Sequence, residues 1–501
     1  MSLIKFNLHG DERGQLIPID SKFDLPFDIK RIFYIKDVDP TLPRGFHAHK
    51  KCIQILVPIQ GSFTLQLDNG NNVNEFLLDK SNEGVLVPLF NWIVMKNFSK
   101  DCIIMVICSY KYDEEEYIRN YDDFLELVNE KKIIKVNNFS LKEQTSNLKR
   151  KIIDDIEDII DRNEFVMGSN VIEFENKFAE YNNVKYCIGV SNGCSALKIA
   201  LKSLELKNPK VIVQANTYVA VPLVCEELQI KYDIIDIDDN LLLDLNKLEI
   251  YLEKNHKNFE LVLMIVHLYG NCVDMERLLT LKEKYNFKII EDAAQAHGST
   301  FNNKKLGTFG DLGCFSFYPS KNLGAFGEGG AIITDNDKYY EYCKKYRNYG
   351  SIERYKWDII GANERIHNIQ GSILSTKLDY LDIWNKKRRT IAKYYYDNIK
   401  TNDEIRILKQ NKNCISNYHL FVIITNRRDE LKSYLEKNNI FCAIHYPKPF
   451  YKSKAYIHIN GEHCLKMKEY QNKLLSIPIY PELSINSAEY VAKIINLFYK
   501  S

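Results

Sequence analysis

Three groups of residues in this 501-residue chain have the types and spacing to do chemistry. The first is Lys321, which closes the run Gly313-Cys-Phe-Ser-Phe-Tyr-Pro-Ser-Lys321 and precedes Asn322, Gly324 and the glycine-rich Gly327-Glu-Gly-Gly330. Most lysines are solvated surface charges. This one follows an apolar, strand-like segment and a proline, a setting that desolvates the amine, favours its neutral form and lets it form a Schiff base. The second group centres on Asp292 in Ile289-Ile-Glu-Asp-Ala-Ala-Gln-Ala-His297. An acid at the C-terminal end of a strand lies where open α/β sheets bind ligands. There it can hold a pyridinium nitrogen, or simply cap a helix. Nearby in type, Ser191-Asn-Gly-Cys-Ser-Ala-Leu197 is a small-residue loop running into a helix, whose free N–H groups suit a phosphate; ordinary strand-to-helix turns look the same. The third group is Arg44-Gly-Phe-His47-Ala-His49. Alternation along a strand puts His47 and His49 on one face, as metal ligands or as an acid–base pair near neutral pH.

The elements that must position these residues fall into two rhythms. Up to about residue 130, short strand-like segments (Ile29–Ile35, Ile53–Pro58, Ser62–Leu67, Val73–Leu78, Val85–Pro88, Ile103–Ser109) are separated by turn clusters such as Asp68-Asn-Gly-Asn-Asn72. The first helix expected is Asp113–Val128. Strands at this spacing predict a β-barrel or jelly roll. From about Lys131, helical periodicity over Leu148–Arg162, Val171–Tyr181 and Ser195–Leu204 alternates with apolar runs at Val211–Val213, Leu261–Val266 and Lys288–Ile290. That alternation predicts βαβ units and a mostly parallel sheet. Gln370–Ile399 reads as helical and amphipathic, and the last hundred residues as a smaller α/β lobe. The join is the polar Val128-Asn-Glu-Lys-Lys132.

Length allows two or three cores. With 68 Lys and Arg against 66 Asp and Glu, the net charge of +2 gives no electrostatic case for nucleic acid or a membrane as main partner. No apolar run reaches 18 residues, and the N-terminus lacks a signal-peptide core. The 12 cysteines are scattered singly, which points to reduced thiols and the cytoplasm.

From about Ile133 onward the chain resembles the DegT-related sugar aminotransferases, a fold-type I pyridoxal-phosphate family. The resemblance rests on Ser191-Asn-Gly193, Gln214-Ala-Asn-Thr-Tyr218, His267-Leu-Tyr-Gly270, Glu291-Asp-Ala-Ala-Gln295, Ser316-Phe-Tyr-Pro-Ser-Lys321, Gly361-Ala-Asn-Glu-Arg365 with Gln370, His445-Tyr-Pro447 and Pro478-Ile-Tyr-Pro481. It implies that Lys321 bonds the cofactor and then shuttles the proton, that Asp292 pairs with the pyridine nitrogen, and that Gln295 lies near the ring hydroxyl. It further implies that Tyr218 stacks on the ring and that Gly193, Cys194 and Ser316 hold the phosphate. Asn363 would reach the phosphate of a neighbouring subunit, so a homodimer is expected, while Arg365 and His445 would contact substrate. Cys194 departs from the family's threonine or serine, and a lost hydroxyl contact predicts weaker cofactor binding. Related dehydrating enzymes carry histidine at the position of Lys321, so lysine favours transamination.

Residues 4–125 resemble the dTDP-4-keto-6-deoxyglucose 3,4-ketoisomerases, which are cupins, through Asp11-Glu-Arg-Gly14, Arg31-Ile-Phe-Tyr-Ile35, Arg44–Lys51, Gly61-Ser-Phe63 and Tyr117-Ile-Arg-Asn-Tyr121. The resemblance implies proton abstraction from C3 by His49, with His47 and Tyr34 moving protons on the sugar oxygens and Arg44 stabilising the enediolate or placing the pyrophosphate. Arg13 would help set the configuration at C4. Phe33 stands where a tyrosine is usual, and Ile93 with Val94 where a polar pair is usual. A metal would need two ligands beyond the histidines. The positions where the common cupin pattern supplies them hold Gln54 and Ile93, which cannot complete a typical site, so metal-free acid–base chemistry is expected.

The expectation is therefore a cupin jelly roll at 1–130 joined to a fold-type I domain at 133–501, with a large lobe over about 150–375 and a small lobe over about 376–501. A ketoisomerase that makes a 3-keto sugar and an aminotransferase that consumes it are consecutive steps. Together they predict conversion of dTDP-4-keto-6-deoxyglucose to a dTDP-3-amino-3,6-dideoxyhexose with L-glutamate as amino donor. The other reading is an aminotransferase carrying a non-catalytic cupin.

Overall fold

The computed structural model describes residues 3–20, 24–131, 135–353 and 355–500. The chain divides into two compact units, Met1–Ile134 and Lys135–Ser501.

The first unit is all-β apart from its last helix. One five-stranded sheet has the order β1 (Leu3–Lys5), β9 (Glu83–Val87), β6 (Gln54–Gln60), β11 (Ile103–Cys108), β4 (Arg31–Ile35). The other runs β12 (Tyr117–Ile118), β5 (Arg44–His49), β10 (Trp92–Lys96), β7 (Phe63–Asp68), β8 (Val73–Leu78). A separate hairpin, β2 (His9–Asp11) and β3 (Gly14–Leu16), carries Arg13 at its turn. Alternation sets the core: Phe63, Leu65 and Leu67 of β7 are fully buried with Ile93 and Met95 of β10, while Thr64 and Gln66 face outward. The β7–β8 hairpin turns where Asp68 accepts the Gly70 N–H, with Gly70 at positive φ. Two sheets of this kind make the expected cupin jelly roll.

The segment expected as one helix over Asp113–Val128 differs. Asp113 caps a 3₁₀ turn, Glu114–Glu116; Tyr117 and Ile118 pair with His49 and Ala48; and the helix begins only at Tyr121. The backbone of Tyr117 and Ile118 is drawn into the sheet beside the histidines.

The second unit is built on a seven-stranded sheet. Its order is β13 (Tyr186–Val190), β21 (Gly330–Thr334), β20 (Leu312–Ser316), β17 (Lys288–Asp292), β16 (Glu260–Val266), β14 (Pro209–Gln214), β15 (Tyr232–Ile235). β20, β17, β16, β14 and β15 are parallel, and β21 runs antiparallel to both its neighbours. β16 is apolar from Leu261 to Val266, as a strand inside a parallel sheet is, whereas β17 ends in the buried Glu291 and Asp292. A second core, including Ile391, Tyr395, Phe421, Leu475 and Ile495, forms the small lobe. The expected single helix over Gln370–Ile399 is two, Asn368–Leu378 and Leu381–Asn398. The first is buried from Gly371 to Leu378 and so has no polar face, while the second is amphipathic. No described helix is long and apolar enough to cross a membrane. The cysteines are free thiols.

Candidate active sites

In the second unit the strand ends at the centre of the sheet open onto a cleft of about 710 Å³ that is lined by Lys321, Asp292, Gln295, Tyr218, Gly193, Cys194, Ser316 and His445. Asp292 ends β17 in parallel register between β16 and β20. It is buried, and burial raises its carboxyl while the Lys321 charge and the Ala294 N–H act the other way. Lys321 follows β20 by a short turn, closed by its N–H to the Tyr318 carbonyl. Burial lowers its ammonium pKa against the pull of Asp292. Gln295 is fixed at both ends of its amide: its oxygen accepts the Tyr269 N–H at 2.7 Å and its nitrogen donates to the Tyr446 hydroxyl at 3.1 Å. Tyr218 is half exposed, its ring 5.6 Å from that of Tyr446.

Gly193 and Cys194 open the helix Gly193–Ser203, whose first turn is ordered by Asn192 accepting the Ser195 N–H at 2.9 Å. This helix end lies against Ser316, and a Cβ on Gly193 would stand 2.8 Å from the Ser316 Cβ. Glycine is thus required by a close approach of helix to strand. The free N–H groups of the helix end, a desolvated amine and a buried carboxylate in one cleft fit pyridoxal phosphate: a phosphate cradle, a Schiff-base lysine and a pyridinium partner.

Asn363 and Arg365 are placed differently. Arg365 donates to Asn363 and to Asn348, and Asn363 is exposed, so in a single chain neither lines the cleft. Glu364 between them turns inward, accepting from Ser195 Oγ at 2.6 Å and from Lys198 at 2.9 Å. Two cleft residues carried no separate signal in the sequence. Tyr446 sat unremarked inside the His445-Tyr-Pro motif, and His419 is a lone histidine whose Nδ1 donates to Asn322 at 3.1 Å. Burial pushes His419 well below its ordinary value and takes His445 to about 4, so both are neutral.

In the first unit His47 and His49 project from one face of β5, their Nε2 atoms 3.1 Å apart. Ile93 is the cross-strand partner of His47. A carboxylate does reach the pair, from a place the sequence did not suggest. Glu116, completely buried, accepts from His49 Nδ1 at 2.5 Å, and its other oxygen accepts the N–H groups of Lys51 and Cys52. Within Glu114-Glu-Glu116 it reads as one of three solvated acids, and only burial distinguishes it. His49, Cys52 and Glu116 bring ligand-type atoms within 4.8 Å of one another, but the carboxylate oxygens are engaged in these hydrogen bonds.

Three expected residues are not brought to the pair. Tyr34 lies on the outward face of β4, 66% exposed, because alternation turns Arg31 and Phe33 inward instead. The tyrosine beside the histidines is Tyr117, its ring 5.2 Å from His47 and 4.4 Å from His49. Arg44 is exposed at the start of β5, and the inward arginine is Arg31, which donates to Tyr117 at 3.4 Å. Arg13 is held by Asp11 on the exposed hairpin.

Residues 146–496 match the DegT/DnrJ/EryC1/StrS aminotransferase family, and residues 1–129 match the family described as WxcM-like, C-terminal. The chain belongs to the DegT/DnrJ/EryC1/StrS aminotransferases, with pyridoxal phosphate as cofactor, and carries an isomerase-like cupin at its N-terminus. It is 37% identical over 336 residues to a dTDP-3-amino-3,6-dideoxy-alpha-D-galactopyranose transaminase of Aneurinibacillus thermoaerophilus, covering 67% of this chain and 91% of that one. It is 34% identical to a dTDP-3-amino-3,4,6-trideoxy-alpha-D-glucose transaminase of Streptomyces venezuelae, covering 65% and 86%. The crystal structure of S. venezuelae DesV with a ketimine intermediate superposes with a TM-score of 0.70 at 31% identity, over 73% of this chain and 99% of that one.

Proposed function

We propose that this chain is a bifunctional nucleotide-sugar enzyme. Its N-terminal domain, about residues 1–130, isomerises dTDP-4-keto-6-deoxyglucose to the 3-keto sugar. Its C-terminal domain, 133–501, transfers an amino group from L-glutamate to C3, giving a dTDP-3-amino-3,6-dideoxyhexose. The observation that carries the reading is the desolvated Lys321 lining one cleft with buried Asp292 in one unit, with a histidine pair backed by a carboxylate in the other. The 37% identity to a transaminase of a 3-amino-3,6-dideoxy dTDP-sugar supports the same substrate class.

In the C-terminal cleft the cofactor, when bound, supplies an electron sink for the amino-carbon carbanion. Lys321 takes and returns the proton at that carbon, its desolvated amine being neutral often enough to act as base. Asp292 holds a proton on the ring nitrogen, Gln295 and Tyr218 orient the ring, and Gly193, Cys194 and Ser316 hold the phosphate. His445 faces the sugar. Asn363, exposed on its own subunit, reaches the phosphate held by a second copy, and Arg365 contacts substrate, so the working form is a homodimer.

In the cupin His49 is the base at C3, where the hydrogen is acidic beside the C4 ketone. Tyr117, rather than Tyr34, serves the sugar oxygens with His47, and Arg31, rather than Arg44, balances the enediolate. The test is NMR of the sugar after incubation with dTDP-4-keto-6-deoxyglucose, pyridoxal phosphate and L-glutamate. An amine at C3 is expected; an amine at C4 or unreacted sugar overturns the two-step reading. If the cupin were only regulatory, His49→Asn would leave the product unchanged.

A further inference from the structure

The hydrogen bonds around the histidine pair fix where its protons are. His47 Nδ1 lies 2.9 Å from the Gly45 carbonyl, which can only accept, so that nitrogen carries the hydrogen. His49 Nδ1 lies 2.5 Å from one oxygen of Glu116, whose second oxygen already accepts two backbone N–H groups; facing a carboxylate oxygen, this nitrogen too is a donor. Both neutral rings therefore present bare lone pairs at Nε2, and these face each other across 3.1 Å. That contact becomes a hydrogen bond only when one additional proton enters it. With that proton the group Glu116, His49 and His47 is electrically neutral, the arrangement a buried site tolerates best.

We infer that Glu116, His49 and His47 form a relay holding one movable proton, with Glu116 as the positioning residue that commits His49 Nδ1 to donation and leaves Nε2 to exchange protons. This rests on the ketoisomerase reading. In that reaction the C3–H bond breaks, its electron pair becomes the C3–C4 double bond of the enediolate, and the proton goes to His49 Nε2. Glu116 offsets the imidazolium charge. The proton is shared with His47, where it exchanges with water, and a proton is returned to carbon, at C4 going forward or at C3 in reverse, as the hydroxyl proton passes between O3 and O4, so no co-reactant is consumed. Burial lowers the proton affinity of both rings, His49 to about 4, and Glu116 works against that loss. The other groups facing the pair are Tyr117, Arg31, Arg119 and Glu114; the arginines lower and Glu114 raises its proton affinity.

The experiment follows deuterium uptake at C3 of dTDP-4-keto-6-deoxyglucose in D₂O by the full-length holoenzyme without L-glutamate, across pH. Glu116→Gln is expected to slow exchange about 10–10,000-fold, the span from losing an outer partner of a functional histidine to losing the carboxylate that orients a catalytic one. It should also move the acid limb of the rate profile to lower pH, because the raising influence on His49 is gone. Glu116→Asp should recover part of the rate. Reaction of L-glutamate with the bound cofactor, read by absorbance, reports that the second unit is folded, and the near-UV circular dichroism and cooperative melting of the isomerase-like unit report on the first. A second reading is ¹⁵N NMR of the histidine-labelled chain, where His49 should carry hydrogen on Nδ1; hydrogen on Nε2 alone overturns the relay. Exchange at the unsubstituted rate and pH profile in Glu116→Gln overturns it too, as does exchange abolished by stripping a stoichiometric metal from the site. If the unsubstituted chain exchanges no deuterium, the ketoisomerase reading itself falls and takes the relay's catalytic role with it.

Discussion

Glu291 is the residue whose replacement the structure prices most closely. It is fully buried, one residue before Asp292, and holds four donors: His267 Nε2 and the Gly307 N–H at 2.8 Å, and the N–H groups of Phe309 and Gly310 at 2.6 Å. Burial raises its pKa, but these donors outweigh burial and hold it below the ordinary value of 4.5. Glu291→Gln keeps the shape and replaces one oxygen by an NH₂ group. The better orientation turns that group toward His267, whose Nδ1 has no partner among the described residues and can take over the hydrogen. The Gly307 N–H is then left facing another donor. Losing one charge-assisted bond costs about 1.5–3 kcal/mol and stranding a buried N–H about 1–3 kcal/mol, so the expected loss is about 3–5 kcal/mol. Urea unfolding of the holoenzyme, followed through the absorbance of bound pyridoxal phosphate, measures it at pH 7. Because the native pKa is lowered, the stabilisation is present in full above 4.5 and is lost as pH falls through the native value, so the gap between the two proteins should close in acid. A loss below about 1 kcal/mol, or one that grows in acid, would refute the view that this carboxylate anchors the 307–310 turn under the site.

Gly193→Ala should weaken pyridoxal phosphate binding about tenfold or more. The new Cβ, 2.8 Å from Ser316, must push the helix end aside, and fluorescence titration of the apoprotein reads the change; unchanged affinity would count against the close approach. Cys194→Ser restores a hydroxyl at the same helix end and should tighten binding by about 2–10-fold, one ordinary hydrogen bond, in the same titration. Lys321 is held below the ordinary lysine value of 10.5 by burial, so capture of cofactor by its neutral amine should rise with pH and level off before 10.5. Asp292→Asn removes the charge that opposes this and should move the limb further down, as stopped-flow absorbance would show.

How far the sequence could be read depended on how far apart in the chain each partner lay. Lys321, Asp292 and Gly193 sit at strand ends or helix starts, and the strand-to-helix rhythm alone sends such residues to one edge of a parallel sheet. Their convergence needed no knowledge of side-chain contacts. His47 and His49 were equally accessible, since a two-residue spacing on a strand fixes a shared face. Their carboxylate was not: Glu116 is 67 residues from His49, in a run of three acids of which two stay in solvent. Tyr34 and Arg44 mark the opposite failure. Each belongs to the right motif, but strand alternation decides which side of that motif faces the pair. On β4 it selects Arg31 and Phe33, three residues and one residue before the Tyr34 where chemistry alone would look. A motif thus locates a strand near a site, and only register decides which of its residues enter it. The same reasoning separates Asn363 from Glu364: adjacent in one motif, Glu364 turns inward to Ser195 at the helix start, and Asn363 turns outward, where it accepts from Arg365.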